Sequence, residues 1–78
     1  DLFAQNNYSK ELEVEIQNAI QDLPEELRGA LTLREFDGLS YEDIAQVMDC
    51  PVGTVRSRIF RAREAVEKRI RPIFGGGE

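Results

Sequence analysis

The sequence predicts an all-α domain built from four helices. Apolar residues recur at three- and four-residue spacing along most of the chain, and no stretch shows the sustained alternation of β-branched or aromatic residues that is typical of a strand. With 78 residues, the chain has room for one small domain with a modest core. In its second half, a short helix, a turn of about three residues and a longer basic helix follow one another, which indicates a helix-turn-helix.

The first helix is predicted from about Ser9 to Asp22, with Ser9 as its N-cap. Its apolar positions form one stripe at helical spacing, which favours packing on one side only. The members of that stripe are Leu12, Ile16, Ala19, Ile20 and Leu23. Residues 1–8 are interpreted as the end of a linker, so the domain itself is predicted to span residues 9–72.

The second helix is predicted to begin at Pro24, whose missing N–H needs no partner at a first helical position. Gly38 supplies the left-handed residue that ends it. Its apolar positions spread around much of the circumference, so we expect this helix to be the central and most buried one. Those positions are Leu27, Ala30, Leu31, Leu33 and Phe36. Gly29 in mid-helix is unfavourable by about 1 kcal/mol relative to alanine, which a close contact there would explain.

The third helix is short and begins after Ser40, a predicted N-cap with Asp43 at the third helical position. It is expected to end near Asp49, and the following Cys50 and Pro51 form a tight turn because a residue that precedes proline is biased away from helix. The side chains expected to face inward are Ile44, Ala45, Val47 and Met48. Ala45 is small where a second helix must cross closely, and we expect Val55 to pack back onto it.

The fourth helix is predicted from about Val52 to Ile70, where Pro72 and the glycines at 75–77 end it and leave residues 73–78 as a flexible tail. At about 100° per residue, its aliphatic residues share an arc of roughly 80°. That core-facing stripe comprises Val52, Val55, Ile59, Ala62, Val66 and Ile70.

Charge is distributed unevenly along the chain. Residues 1–50 contain twelve acidic and three basic side chains, whereas residues 51–78 contain seven basic and three acidic ones. The net charge of −5 therefore hides a basic C-terminal part. Such an asymmetry predicts that the basic end meets a polyanion while the acidic end faces other partners.

Several classes of function are disfavoured by composition. One cysteine and no histidine exclude an intramolecular disulfide and leave no plausible zinc cluster, and they remove the commonest general base. We therefore expect no enzyme, no cofactor and no metal. No apolar run approaches the ~18–20 residues needed to span a bilayer, so we expect a cytoplasmic protein without membrane insertion.

Phe60 breaks the pattern of the fourth helix. On a helical wheel it projects about 140° from Val55, on the arc that carries arginines rather than on the aliphatic stripe. An aromatic side chain among arginines suits a helix in the major groove of DNA, where guanidinium groups bind guanine and a ring packs on a thymine methyl. The residues predicted to reach base edges are Arg56, Ser57, Phe60 and Arg61. The alternative is a solvated basic face with a stray aromatic.

Phosphate contacts are predicted on the flanks of the same helix. Arg58 and Arg63 lie between the core stripe and the groove face, where a cation can position the protein without reading sequence. The hydroxyl of Thr54 and the N-terminal amides of the helix are natural phosphate ligands.

The stretch "LPEELRGALTLREFDGLSYEDIAQVMDCPVGTVRSRIFRAREAV", residues 23–66, strongly resembles region 4 of bacterial extracytoplasmic-function sigma factors, especially the sigma-E-like group. The leading "LP-E", the "L-E-DGLSYEDIA" run and "PVGTVRSRI-RARE" carry the resemblance. It implies sequence-specific recognition of the promoter minus-35 element, as part of the RNA polymerase that initiates transcription in a stress response. In that family, the recognition helix contacts the promoter through positions that match Arg56, Ser57, Phe60 and Arg61. Arg34 matches another DNA-contacting position. Thr54 and Arg58 match positions near the DNA backbone.

The resemblance also implies protein partners: the flap of the polymerase beta subunit and an anti-sigma factor. Region 2 of the family has no counterpart here, and the chain begins at Asp1, so we expect a piece of a longer protein. The "FGGGE" tail matches nothing in the family. Two alternatives stay open, namely the helix-turn-helix output domain of a response regulator and a helical adaptor that binds only proteins.

Overall fold

The structure, a computed structural model, describes residues 10–75, which fold into four α-helices and a final π-helical turn. The elements are α1 (Lys10–Gln21), α2 (Glu25–Glu35), α3 (Tyr41–Met48), α4 (Val52–Ile70) and the π-helical turn Arg71–Gly75. The predicted all-α, four-helix architecture is confirmed. The linker predicted at residues 1–8 and the cap predicted at Ser9 lie outside the described residues, as do residues 76–78 of the predicted tail.

The longest helix, α4, is the centre of the bundle and contacts α1, α2 and α3. The predicted aliphatic stripe is the side that faces them: Val52 is half-buried, and five members are buried, namely Val55, Ile59, Ala62, Val66 and Ile70. The expectation that α2 is the central helix is wrong, since only Ala30 and Leu31 of α2 are buried and Phe36, which follows it, is 54% exposed. Only α4, about 28 Å long at 1.5 Å per residue, can run past all three neighbours.

Two apolar clusters divide α4 along its length. The first lies between α1, α2 and the C-terminal half of α4 and contains Ile16, Ala19, Ile20, Leu23, Leu31, Ala62, Val66 and Ile70. The second lies between α2, α3 and the N-terminal half of α4 and contains Ala30, Ile44, Val55 and Ile59. Since both clusters use the same stripe of α4, the opposite face of that helix has no part in the core.

The helix starts and stops follow local chemistry. The Asp43 N–H donates to the Ser40 hydroxyl oxygen at 3.0 Å, as the predicted cap requires. Gly38 has a φ of 74°, as predicted for the residue that ends α2. Pro24, however, has a ψ of 148° and is the N-cap, so α2 begins one residue later than predicted, at Glu25.

The helix-turn-helix corner spans Asp49 to Pro51. Asp49 adopts the left-handed conformation (φ 56°, ψ 53°), and the Cys50 N–H donates to the Ala45 carbonyl oxygen at 3.0 Å, which closes the end of α3. Ala45 packs against the cluster that holds the fully buried Val55, as predicted. The three-residue turn is thereby confirmed, and it fixes the direction in which α4 leaves α3.

Val47 was expected to face inward, but its side chain is 63% exposed. The packed residues of α3 are Ile44, which is fully buried, and Ala45 and Met48, which are half-buried. At 100° per residue, Val47 projects about 110° from the middle of the arc that these three share, beyond the reach of α2 and α4.

Ion pairs hold α4 against its neighbours. Arg63 donates to a carboxylate oxygen of Glu35 through both Nε, at 2.9 Å, and a terminal nitrogen. Arg69 pairs with Asp22 just beyond α1, and Arg71 pairs with Glu67 one turn earlier at 3.4 Å. The pair with Glu35 is the better shielded one, because the Glu35 side chain is 14% exposed and that of Asp22 is 65% exposed.

The chain leaves α4 through the π-helical turn, which includes Pro72 and extends into the predicted tail. Proline has no N–H to donate, which is consistent with the end of regular α-helix at Ile70. The domain boundaries drawn from the sequence stay predictions. Within residues 10–75, none of the helices combines the length and apolarity needed to cross a bilayer.

Replacing Gly29 with alanine should stabilise the domain by about 0.5–1 kcal/mol, because alanine has the higher helix propensity. An added Cβ would meet only Met48 Cε, at the ordinary contact distance of 3.6 Å, so the close contact expected here does not exist. The matched control is Gly38→Ala, which should destabilise by about 1–2 kcal/mol because its φ is positive. Urea unfolding measures both, and a change of the same sign in the two variants would contradict this account.

The two interhelical ion pairs should contribute unequally to stability. Glu35→Gln should lower the free energy of unfolding by about 1–3 kcal/mol, since it leaves the half-buried Arg63 without its charged partner. Asp22→Asn should change it by less than about 0.5 kcal/mol, because that pair is exposed. Urea unfolding of both variants at low and high salt tests the difference, and equal losses would refute it.

Candidate nucleic-acid interface

The face of α4 opposite the core carries the side chains predicted to read DNA. Arg56, Ser57, Phe60 and Arg61 are all exposed. Phe60 is 67% exposed, which makes it the most exposed large apolar side chain among the described residues. The prediction that this ring lies outside the core is confirmed, and the expected outward arginine face exists.

A shallow cavity of about 590 Å³ brings four of the predicted residues together. It lies between the start of α4 and the N-terminal turn of α2, and Thr54, Ser57, Arg58 and Arg61 all line it. Pro51 precedes α4 and provides no side-chain cap for its first N–H groups. The concave part of the surface therefore combines two guanidinium groups, two hydroxyl groups and an uncapped helix N-terminus, a combination that suits an anion.

Glu26 also lines this cavity, a position that was not predicted from the sequence. Its carboxylate forms no ion pair with an arginine in the described part of the chain. It places one negative charge at the rim of an otherwise cationic surface.

Arg58 is half-buried, and its guanidinium donates to the Cys50 sulfur at 3.7 Å. This weak contact ties the side chain to the corner of the helix-turn-helix. Arg58 is thus held near the N-terminus of α4, and its contact with the DNA backbone stays a prediction.

Arg34 and Arg56 meet at the ring of Tyr41. The Arg34 guanidinium carbon lies 4.8 Å from the ring centroid and that of Arg56 lies 5.6 Å from it. Arg34 also donates to the Leu39 carbonyl oxygen at 2.9 Å. The contact of Tyr41 with two arginines from other helices was not predicted, because nothing in the local spacing of the sequence indicates it.

Arg63 differs from the other candidates, because its guanidinium is already engaged by Glu35. Its position between the core stripe and the exposed face agrees with the helical wheel, and its side chain keeps 38% exposure. The partner, 28 residues earlier in the chain, was not foreseen.

The ion pairs divide the arginines of α4 and its surroundings into two groups. Within residues 10–75, Arg63, Arg69 and Arg71 have carboxylate partners. The others at candidate positions have none in this part of the chain, namely Arg34, Arg56, Arg58 and Arg61. The cations around the N-terminal half of α4 therefore keep their full positive charge, which favours binding of a polyanion.

Comparison with known proteins identifies the family. A sequence model of the family "Sigma-70, region 4" matches residues 13–66. The chain is 70% identical over 64 residues to the RNA polymerase sigma-H factor of Pseudomonas aeruginosa, an alignment that covers 82% of this chain and 33% of that protein. It is 65% identical over 66 residues to the ECF RNA polymerase sigma-E factor of Haemophilus influenzae and 63% identical over 66 residues to that of Escherichia coli K12, covering 85% of this chain and 35% of each relative.

The chain thus spans about a third of the length of the curated relatives it matches. The family match covers most of the residues that the structure describes, including all of α2, α3 and the exposed N-terminal half of α4. On this match and these identities, the chain belongs to the sigma-70 region 4 family, as its resemblance to the sigma-E-like group implied.

Proposed function

We propose that this chain binds the minus-35 element of a promoter as the region 4 domain of an extracytoplasmic-function sigma factor, and so directs RNA polymerase to initiate transcription. The observation that carries the proposal is the exposed face of α4 in a chain of the sigma-70 region 4 family. On this helix-turn-helix, that face presents arginines that have no carboxylate partner within residues 10–75. A role in DNA recognition requires no catalytic group.

The chemistry of the exposed face suits base readout. Arg56 and Arg61 can each direct a guanidinium fork to the O6 and N7 atoms of guanine, while Ser57 can donate to or accept from a base edge. Phe60 exposes an apolar ring that can pack on a thymine methyl group, and its exposure in the free domain has no explanation from internal packing.

The phosphate backbone is the proposed ligand of the flanking residues. Thr54 and Arg58 lie at the uncapped start of α4, and Arg34 adds a cation from α2. A phosphate contact by Arg63 stays a prediction. The ion pair with Glu35 argues against a strong one, because a phosphate would have to share the guanidinium with a carboxylate that is already in place.

Two protein partners belong to the same proposal. The relatives are named as sigma factors of RNA polymerase, which supports association of this chain with the polymerase. The beta-subunit flap as the docking site and the cytoplasm as the location are further parts of the proposal. An open groove of about 880 Å³ between α2 and the end of α3 supports that docking, since Leu33 and Met48 contribute apolar surface to it. An anti-sigma factor would cover the same domain to silence it, as part of a stress response.

A selection from random duplexes, made with the domain tethered to polymerase, tests the proposal most directly. We expect enrichment of one minus-35-like sequence. Enrichment of no sequence, with polymerase activity intact, would refute promoter reading by this domain. A response-regulator output domain would instead select paired half-sites, because such domains bind as dimers.

The affinity for a minus-35 duplex should fall as salt rises, with a slope of log K against log salt concentration of roughly −2 to −4. Arg34 and Arg58 are proposed to contact phosphates and can each displace a counterion, and Arg56 and Arg61 add to this where they also approach the backbone. Fluorescence anisotropy titrations at salt concentrations between about 50 and 200 mM measure this slope. A slope near zero would favour an adaptor that binds only proteins.

Arg61→Ala should weaken binding to the cognate duplex by about 1–3 kcal/mol and relax the preference for one base, since Arg61 is proposed to read a base edge. Arg58→Ala is the matched control, because Arg58 is also an arginine and lines the same cavity as Arg61. Its loss should weaken binding to cognate and scrambled duplexes alike. It should also make the salt slope smaller by about 1. If Arg61→Ala weakened binding to the cognate and the scrambled duplex equally, Arg61 would not read a base.

A further inference from the structure

Three helices converge on one aromatic ring at the edge of the proposed DNA interface. Arg34 comes from the end of α2, Arg56 from the first half of α4, and Tyr41 is the first residue of α3. Both guanidinium carbons lie within the ~6 Å of the ring centroid over which a cation is attracted by an aromatic face. We propose that Tyr41 is a positioning residue for DNA recognition, whose ring holds Arg34 and Arg56 together as one arginine pair that contacts a single segment of the duplex. This inference rests on the promoter-binding function proposed above.

The ring is well placed to act as a fixed support. Tyr41 is half-buried and packs against the cluster that contains Ala30 and Ile44. The start of α3 is itself held by the cap between Ser40 and Asp43, one residue before the ring and two after it. A tyrosine side chain has only two main torsions, so packing on this cluster leaves it little freedom.

The two arginines are held to different degrees. Arg34 is held twice, by the ring and by its hydrogen bond to the Leu39 carbonyl oxygen, and this bond uses one of its five N–H donors. Arg56 is exposed, and its guanidinium forms no hydrogen bond or ion pair with the other residues of 10–75, so the ring is the contact that holds it. Removal of the ring should therefore release Arg56 more completely than Arg34.

The ring of Tyr41 holds both guanidinium groups without neutralising their charge, which a carboxylate could not do. Because both guanidinium groups lie over one ring, they are no further apart than about one Debye length, ~10 Å at 0.1 M salt, and they repel each other. The negative face of the ring offsets that repulsion without neutralising either charge. Arg63 shows the contrast, since its Glu35 partner fixes it but cancels its charge.

Two cations that lie within about one Debye length of each other, and that have no carboxylate partner among residues 10–75, can contact the same stretch of a DNA strand, which carries a phosphate for each ~3.4 Å of axis. Arg56 lies on the exposed face of α4, and Arg34 approaches the same edge from α2. With both held by one ring, part of the conformational entropy of two long side chains is lost before DNA arrives, which favours binding. The pair should thus behave as one contact, and its geometry should affect the base that Arg56 reads.

The test replaces the ring and keeps the packing. Tyr41→Leu retains an apolar side chain but no aromatic face, and it should bind a cognate minus-35 duplex about tenfold more weakly, with reduced preference at the base position that Arg56 controls. Tyr41→Phe retains the ring without the hydroxyl and should bind within about twofold of the parent chain. In the Tyr41→Leu background, Arg56→Ala should cause little further loss.

A stability control separates positioning from general damage. Ile20→Val, in the cluster around α1, should lower stability but leave the affinity for DNA unchanged when measured at the same folded fraction. Parent-like affinity and base preference in Tyr41→Leu would overturn the inference. Equal losses in Tyr41→Phe and Tyr41→Leu would also overturn it, since they would show that the hydroxyl and not the ring is responsible.

A second measurement leaves the ring in place. If Arg34 and Arg56 act as a pair, the double alanine variant should lose less affinity than the product of the two single losses, by at least about twofold. Strict additivity would refute the pairing even if Tyr41→Leu failed to fold. If the parent chain shows no preference for a minus-35 duplex, both the proposed function and this inference are wrong. If the parent chain binds that duplex but the effects of the Arg34 and Arg56 substitutions are additive, only this inference is wrong.

Discussion

One apolar stripe along α4 determines the rest of the structure. Val55 and Ile59 seal the cluster with α2 and α3, while Ala62, Val66 and Ile70 seal the cluster with α1 and α2. Because all three neighbours lie on the same side of this helix, its opposite side has no partner within the bundle. Unpaired charges are too costly to bury, so the arginines that share α4 with the stripe must project away from it. The proposed DNA interface is thus the surface that core packing leaves uncovered.

The acidic residues in the first half of the chain determine which arginines of α4 form ion pairs and which can bind a polyanion. Glu35 and Asp22 lie at the ends of the helices that flank the C-terminal half of α4, and they pair with Arg63 and Arg69. Around the N-terminal half, the arginines contact a ring, a sulfur or solvent, and none of them contacts a carboxylate in the part of the chain that the structure describes. The arginines of α4 therefore differ along its length: Arg63 and Arg69 in the C-terminal half form ion pairs, whereas those beside the helix-turn-helix corner have no carboxylate partner among the described residues.

Much of the fold could be predicted from local patterns. The spacing of aliphatic residues predicts the bounds of α4 and its buried stripe, and the Ser40 cap and the Gly38 stop follow from side-chain and backbone chemistry within a few residues. The outward direction of Phe60 also follows from its angle on the same helix. Features of this kind depend on one helix and its immediate neighbours in sequence, and the residue pattern of residues 23–66 was specific enough to indicate the family that the comparisons establish.

Other features of the molecule were decided only by the tertiary structure, because they depend on how the helices cross. The exposure of Phe36 and Val47, and the central position of α4 instead of α2, depend on which sides of short helices are covered. The pairing of Arg63 with Glu35 and the meeting of Arg34 and Arg56 at Tyr41 join helices far apart in sequence. The chain by itself determined its helices, their caps, the apolar stripe and the charge asymmetry, because these arise from interactions over a few residues. Which arginines are neutralised was decided by interhelical distance and angle, which no local periodicity encodes.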